Sequence, residues 1–307
     1  MKTFIKAIEI WIPDRERTQL ELGSGLYGTL TDFKTASEWQ HFAYGEGLPG
    51  KAWAEGHPIV LTKFEHSCFR RTEVAHQSGL TCGIALPIFS GDFLMAVVVF
   101  LCGDDDEQIG AIEVWRNDPA AGDLLRVMDG YYGKLEQFEK VSRQLQMPKG
   151  QGLAGMAWET GMPVLRENFN RIAEFDQEAD AQQTGITTGL GIPAAHSHDQ
   201  IYVMTFLSAK ATPIAKRVQI WIPDDENDRL VCRQGYSKES NNLAEIFETL
   251  TVKKGVGALG RVWLTGMPLI TGNLDIQYNP ELDSLSSMLA IPVIERGKLK
   301  AIATFLF

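Results

Sequence analysis

Cysteine is scarce in this chain of 307 residues, which has only Cys68, Cys82, Cys102 and Cys232 and no Cys-x-x-Cys pair. Cysteines scattered in this way indicate neither a disulfide framework nor a zinc site. Basic residues are also few, because 29 Lys and Arg stand against 39 Asp and Glu. The resulting net charge of −10 argues against nucleic acid or an anionic membrane as a partner.

The sequence has no hydrophobic run long enough to cross a membrane. Its longest run, Phe93 to Cys102, is about half the length of a spanning helix and is typical of a buried strand. Lys6 and Glu9 interrupt the apolar residues near the N-terminus, so the sequence does not indicate a signal peptide. We therefore expect a soluble, cytoplasmic protein.

A glycine-rich motif occurs three times at a fixed interval. Its pattern is Gly-x-Gly-x-x-Gly-x-x-Trp-x-x-Gly-x-Pro, and its copies span 45–58, 150–163 and 255–268, so that successive copies are offset by 105 residues. A period this long indicates tandem domains, because the repeats of a solenoid are usually about 20–50 residues long. We predict three domains, at residues 1–103, 104–210 and 211–307.

The glycines of this motif also suggest a dinucleotide-binding fingerprint. That fingerprint needs a buried strand before the glycines and a full helix after them. Here polar, helix-like residues come first, and Gly56 and Pro58 end the following helix after barely two turns. We therefore interpret the first glycines as the residues that let the chain turn tightly into a short helix. The tryptophan is interpreted as a core anchor and Gly-x-Pro as the end of that helix.

Each repeat predicts the same order of strands and helices. The elements expected in the first unit are strands at 4–12 and 18–26, a helix at 30–44, a strand at 58–62, a helix at 70–78 and strands at 82–89 and 93–102. The last two strands are apolar throughout, which predicts a sheet covered on both faces. The predicted fold class is α+β, with three repeated domains that each have an antiparallel sheet of about five strands flanked by helices.

The order of these motifs resembles that of the GAF domain, a small-molecule sensor module. The glycine-tryptophan motif is followed by Phe69-x-Arg71-x-x-x-Ala75-x-x-x-Gly79-Leu80 and then by a Gly-x-Ala-Leu-Pro-Ile hairpin. The resemblance covers nearly the whole chain in three copies and implies a ligand pocket between the sheet and the helices over one face. It does not identify the ligand, because the family binds cyclic nucleotides, haem, tetrapyrroles or metabolites.

The sequence departs from the family in one respect, since GAF domains usually carry flanking helices. The segment between Cys102 and Ile112 has nine residues, which is too short for such helices. Two packings are left open. Each unit can close its own sheet, or the last strand of one unit can pair with the first strand of the next in a ring closed by Phe4 and Phe307.

The resemblance places the ligand pocket along the segment that follows Gly-x-Pro. Arg71 is the best anchor candidate, because a guanidinium can hold a carboxylate or phosphate through two hydrogen bonds. The alternative is an arginine paired at the surface or stacked inside the fold. Unit 3 has Leu274 and Ile276 in this segment, which is also shorter, so we expect its pocket to be degenerate. The predicted ligand-binding residues are Cys68, Phe69, Arg71, Ala75, His76, Phe175 and Gln177.

Two further groups carry candidate chemistry. Cys68 and Cys82 as a redox couple would resemble GAF-type methionine sulfoxide reductases, although the cysteine spacing of that family is absent. His196 and His198 would share one face of a strand, but they fall where the other units have hairpin turns, which favours a solvated turn over a metal site. We predict no metal site and no catalytic residues.

The hypothesis that fits these observations is a non-catalytic regulatory protein. It would bind an unidentified small molecule in units 1 and 2 and act on a protein partner or as a homo-oligomer, with no nucleic acid or membrane involved. Two alternatives stay open: a structural scaffold whose pockets are filled by side chains, and a thiol reductase that uses Cys68. The sequence does not identify a cofactor.

Overall fold

The computed structural model describes residues 3, 5–103, 108–119, 122–167, 185–194, 200–237, 250–272, 274 and 285–307. The described strands form three antiparallel sheets of six strands, and each sheet belongs to one repeat. In the described part of the chain, no helix is both long and apolar enough to cross a bilayer.

Unit 1 contains six strands and three helices. The strands are β1 (Ile5–Pro13), β2 (Gln19–Leu26), β3 (His41–Ala43), β4 (Ile59–Leu61), β5 (Cys82–Ser90) and β6 (Phe93–Cys102). The helices are α1 (Thr31–Glu38), α2 (Gly47–Glu55) and α3 (Thr72–Gln77). The sheet order is β3-β2-β1-β6-β5-β4.

Units 2 and 3 repeat this order of strands. Unit 2 has β7 (Gly110–Asn117), β8 (Leu124–Tyr131), α4 (Glu136–Gln144), β9 (Met147–Pro148), α5 (Gly152–Thr160), β10 (Val164–Glu167), β11 (Ile186–Pro193) and β12 (Tyr202–Ala209). Unit 3 has β13 (Arg217–Pro223), β14 (Arg229–Ser237), β15 (Thr251–Lys253), α6 (Gly257–Thr265), β16 (Leu269–Thr271), β17 (Met288–Glu295) and β18 (Lys298–Leu306).

The expected α+β class and threefold repetition are confirmed, but each sheet has six strands where we expected about five. The additional strand in unit 1 is β3, which lies inside the helix predicted at 30–44. That helix ends at Glu38, and His41–Ala43 pair with Gln19–Glu21 of β2. A three-residue edge strand is too short to show an alternating pattern, so only its pairing with β2 reveals it.

The described strands are not exchanged between units. The first strand of each repeat pairs with the last strand of the same repeat, as β1 with β6, β7 with β12 and β13 with β18. Phe307 exchanges backbone hydrogen bonds with Ser287 of its own unit, while Phe4 lies outside the described residues. Of the two packings left open by the sequence, the structure has the one in which every unit closes its own sheet.

Both faces of each sheet are buried, as the apolar strands predicted. Along β6, Val97 and Val99 face a core that also contains Phe33 of α1 and Ala52 of α2. The alternate residues Val98 and Phe100 face a second core, to which strands of all three units contribute. One face of the sheet is therefore covered by helices, and the other is covered by the sheets of the neighbouring units.

The shared core is built around three phenylalanines, one from the last strand of each unit. The ring centroids of Phe100 and Phe206 are 5.0 Å apart, those of Phe206 and Phe305 are 5.5 Å apart, and those of Phe100 and Phe305 are 6.3 Å apart. These distances describe a triangle of rings at a pseudo-threefold axis. The three sheets therefore cover one another on this face.

Contacts at the rim follow the same threefold pattern. The short strand after each Gly-x-Pro lies beside the second strand of the next unit, so that β4 contacts β8, β10 contacts β14 and β16 contacts β2. At one of these junctions the backbone N–H of Leu165 donates a hydrogen bond of 3.4 Å to the Gln234 side chain. The three units therefore form a closed ring without strand exchange.

Candidate functional site

A buried ion pair between Glu9 and Arg71 lies between the sheet and the helices of unit 1. Glu9 is on the helix-facing side of β1, because the flanking Ile8 and Ile10 face the shared core. Arg71 immediately precedes α3, and its guanidinium donates two hydrogen bonds to the Glu9 carboxylate, one of which measures 2.8 Å. The Arg71 and Glu9 side chains are only 3% and 0% exposed.

Further donors and rings surround this pair. Glu9 accepts hydrogen bonds of 3.0 Å from the Trp11 indole and from the Tyr27 hydroxyl. Arg71 also donates to the Ser37 hydroxyl, and its guanidinium carbon lies 4.5 Å from the centroid of the Phe33 ring. Although burial alone would raise the pKa of Glu9, the Arg71 charge and these hydrogen bonds hold that pKa below its ordinary value.

The arrangement around Arg71 matches the alternative in which the arginine stacks inside the fold. In addition to Phe33, the rings of Trp11 and Phe69 lie 5.4 Å and 5.3 Å from its guanidinium carbon. A ligand anion would have to compete with Glu9 for the same guanidinium. A ligand-anchoring role for Arg71 therefore stays a prediction, and the contacts made by this side chain are internal.

The other predicted residues of unit 1 divide between the interior and the surface. Phe69 stacks on Phe64 with ring centroids 3.9 Å apart, and Ala75 is fully buried. Cys68 is partly buried. His76 is exposed, and its Nε2 lies 3.1 Å from the carboxylate of Glu65. The segment thus brings Phe69, Arg71 and Ala75 together and leaves His76 outside, while Phe175 and Gln177 of unit 2 lie outside the described residues.

The position of Glu9 is occupied by Glu113 in unit 2 and by Gln219 in unit 3. Glu113 accepts hydrogen bonds of 3.0 Å from the Trp115 indole and from the Thr205 hydroxyl. Burial raises the pKa of Glu113, and hydrogen bonds from neighbouring hydroxyls oppose this only in part. The Gln219 side-chain oxygen accepts 3.3 Å hydrogen bonds from Trp221 and Thr304.

Sequence reasoning missed this series of polar residues, although a signal for it was present. Each one interrupts an apolar strand two residues before a tryptophan, in Glu9-Ile-Trp11, Glu113-Val-Trp115 and Gln219-Ile-Trp221. A polar residue at a helix-facing position of a buried strand must find hydrogen-bond partners inside the fold. The pattern therefore marks the polar centre of each unit.

The two cysteines considered as a redox couple lie in different parts of unit 1, with Cys82 in β5 and Cys68 in the segment between β4 and α3. Cys82 faces the shared core, whereas Phe69, the neighbour of Cys68, packs in the core on the helix side. The cross-strand partner of Cys82 is instead Cys102. A redox couple of Cys68 and Cys82 stays an alternative that the described contacts do not support.

Metal-binding side chains do not cluster in the part of the chain that the structure describes, where no group of three His, Cys, Asp or Glu residues could hold an ion. The pair His196 and His198 lies outside the described residues. Its interpretation as a solvated turn stays a prediction.

One cavity lies where the hairpins of all three units meet. Its volume is about 370 Å³, and its walls include Pro87, Pro193 and Pro292 from equivalent strands. The buried ring of Tyr202 also lines it. Its lining includes Leu86, Ile192 and Ile291 of the shared core, and none of the residues predicted to bind the ligand is among the described residues that line it.

Comparisons with known proteins give partial matches to single domains. No family model matches the chain, and no curated protein matches it. Among solved structures, the GAF domain of A. aeolicus nlh2 in an inactive state is 25% identical, with a TM-score of 0.27, over 34% of this chain and 60% of that one. A free methionine-R-sulfoxide reductase from Neisseria meningitidis, in complex with its substrate, is 19% identical, with a TM-score of 0.26, over 34% and 57%.

A third similar structure is the GAF domain of a phosphoenolpyruvate-protein phosphotransferase from Coxiella burnetii. It is 17% identical, with a TM-score of 0.27, over 32% of this chain and 56% of that one. This chain thus spans less than two thirds of each of these structures. The sheet order, the glycine-tryptophan helix and the helix-covered face recur in every unit. The chain consists of three tandem domains with a GAF-like fold.

Proposed function

We propose that this chain is a non-catalytic regulatory protein that binds a small molecule in a GAF-like unit and acts on a separate partner. The observation that carries this proposal is the orientation of the units in the ring. The three sheets use one face to cover one another, so the helix-bearing faces point outward, and in unit 1 the segment predicted to bind the ligand packs on that side. The array can therefore present its pockets to solvent while the shared core holds the units together.

We place the ligand in unit 2 in preference to unit 1. In unit 1 the guanidinium of Arg71 occupies the centre of the pocket region and is bound to Glu9. The sequence of unit 2 has Gln177, a neutral and shorter residue, at the position of Arg71. A ligand there would not compete with an arginine at this position, whereas in unit 1 it would have to break a buried ion pair, which is costly.

A thermal-shift screen of metabolites tests this proposal. A ligand at 100 times its Kd should raise the free energy of unfolding by about 2.7 kcal/mol. We expect the shift to be weakened in the variant Glu113→Gln, which alters the polar centre of unit 2. The matched substitution Gln219→Glu in unit 3 serves as the control and should leave the shift unchanged. A hit whose shift is equal in both variants would place the ligand elsewhere.

The scaffold alternative is supported by a specific observation in unit 1. There the space between sheet and helices is occupied by Arg71 together with the rings of Trp11, Phe33 and Phe69. If all three units are filled in this way, native mass spectrometry of the purified protein should show no excess small mass. The screen should also produce no shift for any compound.

The reductase alternative has less support. Cys82, the thiol with which Cys68 was paired as a redox couple, faces the shared core and lies opposite Cys102 across the sheet. We expect the purified chain to show no thiol-dependent reduction of free methionine sulfoxide. Activity that disappears in Cys68→Ser would overturn the non-catalytic proposal.

A further inference from the structure

A cleft of about 600 Å³ lies beside the C-terminal end of α6 in unit 3. One wall comes from residues 263–266 at the end of the helix, and another comes from the β17–β18 hairpin. Ser90 of unit 1 and Asn227 of the β13–β14 turn complete the lining. None of the described residues that line the cleft belongs to the segments in which the ligand residues of units 1 and 2 were predicted.

Three lysines line this cleft in a chain whose net charge is −10. They are Lys254, Lys298 and Lys300, and none of the described residues lining the cleft is acidic. The Lys254 Nζ lies 5.5 Å from the centroid of the Trp263 ring. The Lys300 Nζ lies 3.5 Å from a carboxylate oxygen of Glu295, so its charge is only partly compensated at this exposed position.

Apolar surface adjoins these ammonium groups. Leu264 is 61% exposed at the edge of the cleft, and Ile294 and Leu299 contribute aliphatic side chains to its walls. The ring of Trp263 forms part of the same wall. A concave site that combines apolar walls with a few charged groups is typical of small-molecule binding.

The hairpin lysines distinguish unit 3 from unit 1. The closing pair of the hairpin is Glu295 with Lys298 in unit 3 and Ser90 with Phe93 in unit 1. Phe93 therefore stands at the place of Lys298. In contrast, a lysine over the motif tryptophan also occurs in unit 2, where the Lys149 Nζ lies 5.6 Å from the Trp158 centroid. The Lys254–Trp263 contact is thus part of the repeat, and the two hairpin lysines are an addition to it.

We propose that this cleft binds a small organic anion, namely a carboxylate, phosphate or sulfonate that carries an apolar or aromatic group. The ammonium groups of Lys298 and Lys300 hold the anion, assisted by Lys254. The apolar group packs against Trp263 and Leu264. Unit 3, whose predicted pocket is degenerate, thereby has a binding site of its own, independent of the ligand proposed for unit 2.

The test uses 8-anilino-1-naphthalenesulfonate, an aromatic sulfonate whose fluorescence rises on binding, titrated into the full chain at low ionic strength. The double variant Lys298→Gln/Lys300→Gln should raise its Kd roughly tenfold, because two charge-assisted contacts are lost. Added salt should weaken binding to the unaltered protein and have less effect on the variant. Binding that is unchanged in the double variant would overturn the proposal.

Two controls distinguish the loss of the two hairpin lysine charges from a loss of apolar contact and from a general effect of removing a lysine. Lys149→Gln removes the equivalent lysine over a motif tryptophan in unit 2 and should leave the Kd unchanged. The neutral analogue N-phenyl-1-naphthylamine should bind the double variant and the unaltered protein alike. An equal loss of sulfonate binding in Lys149→Gln, or an equal loss of the neutral probe in the double variant, would show that the hairpin lysines do not form an anion site. Matching circular dichroism spectra establish that each variant is folded.

Discussion

Glu9, Glu113 and Gln219 occupy the same position in three sheets, and each is satisfied in a different way. Glu9 is paired with a guanidinium, Glu113 accepts hydrogen bonds from hydroxyl and indole groups, and Gln219 is a neutral amide. A buried charge is costly unless it is paired, whereas a hydrogen-bonded amide carries a smaller desolvation cost. The three units therefore differ in the electrostatics of one shared position.

Removal of Arg71 should destabilise unit 1 strongly. In Arg71→Met the Glu9 carboxylate would stay buried without its cation, which typically costs about 3–5 kcal/mol. In the double variant Glu9→Gln/Arg71→Met the buried group is neutral, as in unit 3, and we expect most of the loss to be recovered. Urea denaturation measures both values. Equal stability of the single and double variants would contradict a net role for the ion pair.

The two buried carboxyls should make the stability of the folded protein depend on pH in opposite directions. The pKa of Glu9 is below its ordinary value of 4.5, so its contribution to stability is present above that value and is lost as the pH falls through the lowered pKa. The pKa of Glu113 is above 4.5, so its contribution is present below 4.5 and is lost as the pH rises through the raised pKa.

Glu113→Gln should therefore raise the free energy of unfolding more at pH 8 than at pH 5. The difference between the two pH values should be about 1.4 kcal/mol for each unit of pKa shift that the substitution removes. Glu9→Gln should instead lower the stability of the protein at pH 8. It should also reduce the loss of stability that occurs as the pH falls into the acidic range. Thermal melts of both variants at pH 4, 5 and 8 provide the comparison. The same sign of change for the two variants at pH 8 would show that their environments are equivalent.

At the scale of elements, the helix that contains the motif tryptophan is built alike in each unit. Helices α2, α5 and α6 all end at a glycine with a left-handed backbone, and Gly161 is the example in unit 2. The third glycine of each motif has a different role, because a Cβ on Gly155 would lie 2.1 Å from the Pro148 carbonyl oxygen. The glycines thus serve a helix end and a close backbone approach, which agrees with the rejection of a dinucleotide fingerprint.

Two alanine substitutions should separate these roles. Gly161 has a φ of +62° and open space around it, so Gly161→Ala should cost about 1 kcal/mol from backbone strain alone. Gly155→Ala must also push the Pro148 backbone away, and we expect a loss larger by about 1–3 kcal/mol. The melting temperatures of the two variants give the comparison. A milder effect at Gly155 would show that the β9–α5 junction adapts freely.

The element predictions succeeded where residue patterns are long and failed where they are short. The apolar hairpin of β5 and β6 was correct because nine or ten residues in each strand follow one pattern. The edge strand β3 was missed because it has three residues and follows α1 without a glycine or proline between them. The motif tryptophans were expected to anchor the core, but only Trp263 is buried, while Trp53 and Trp158 are partly buried.

At the scale of the whole molecule, the triangle of Phe100, Phe206 and Phe305 should make the three units unfold together. Phe206→Ala would open a cavity in the shared core and should cost about 3–5 kcal/mol. Phe138→Ala, in the core on the helix side of unit 2, provides a matched control of the same chemistry. Hydrogen exchange should rise in all three units for Phe206→Ala and mainly in unit 2 for Phe138→Ala. Similar exchange patterns would indicate that the units are energetically independent.

The sequence by itself determined the number of units, the order of their longer elements and the burial of both sheet faces. Regular spacing and apolar strands report those features directly. Only the tertiary structure decided what covers each face, because an apolar strand specifies burial without naming its neighbour. It also decided the contact between Glu9 and Arg71, which are 62 residues apart. Local pattern carries no information on a pairing of that kind. It arises only when the residue before α3 comes to lie beside β1 and both side chains need a partner away from water.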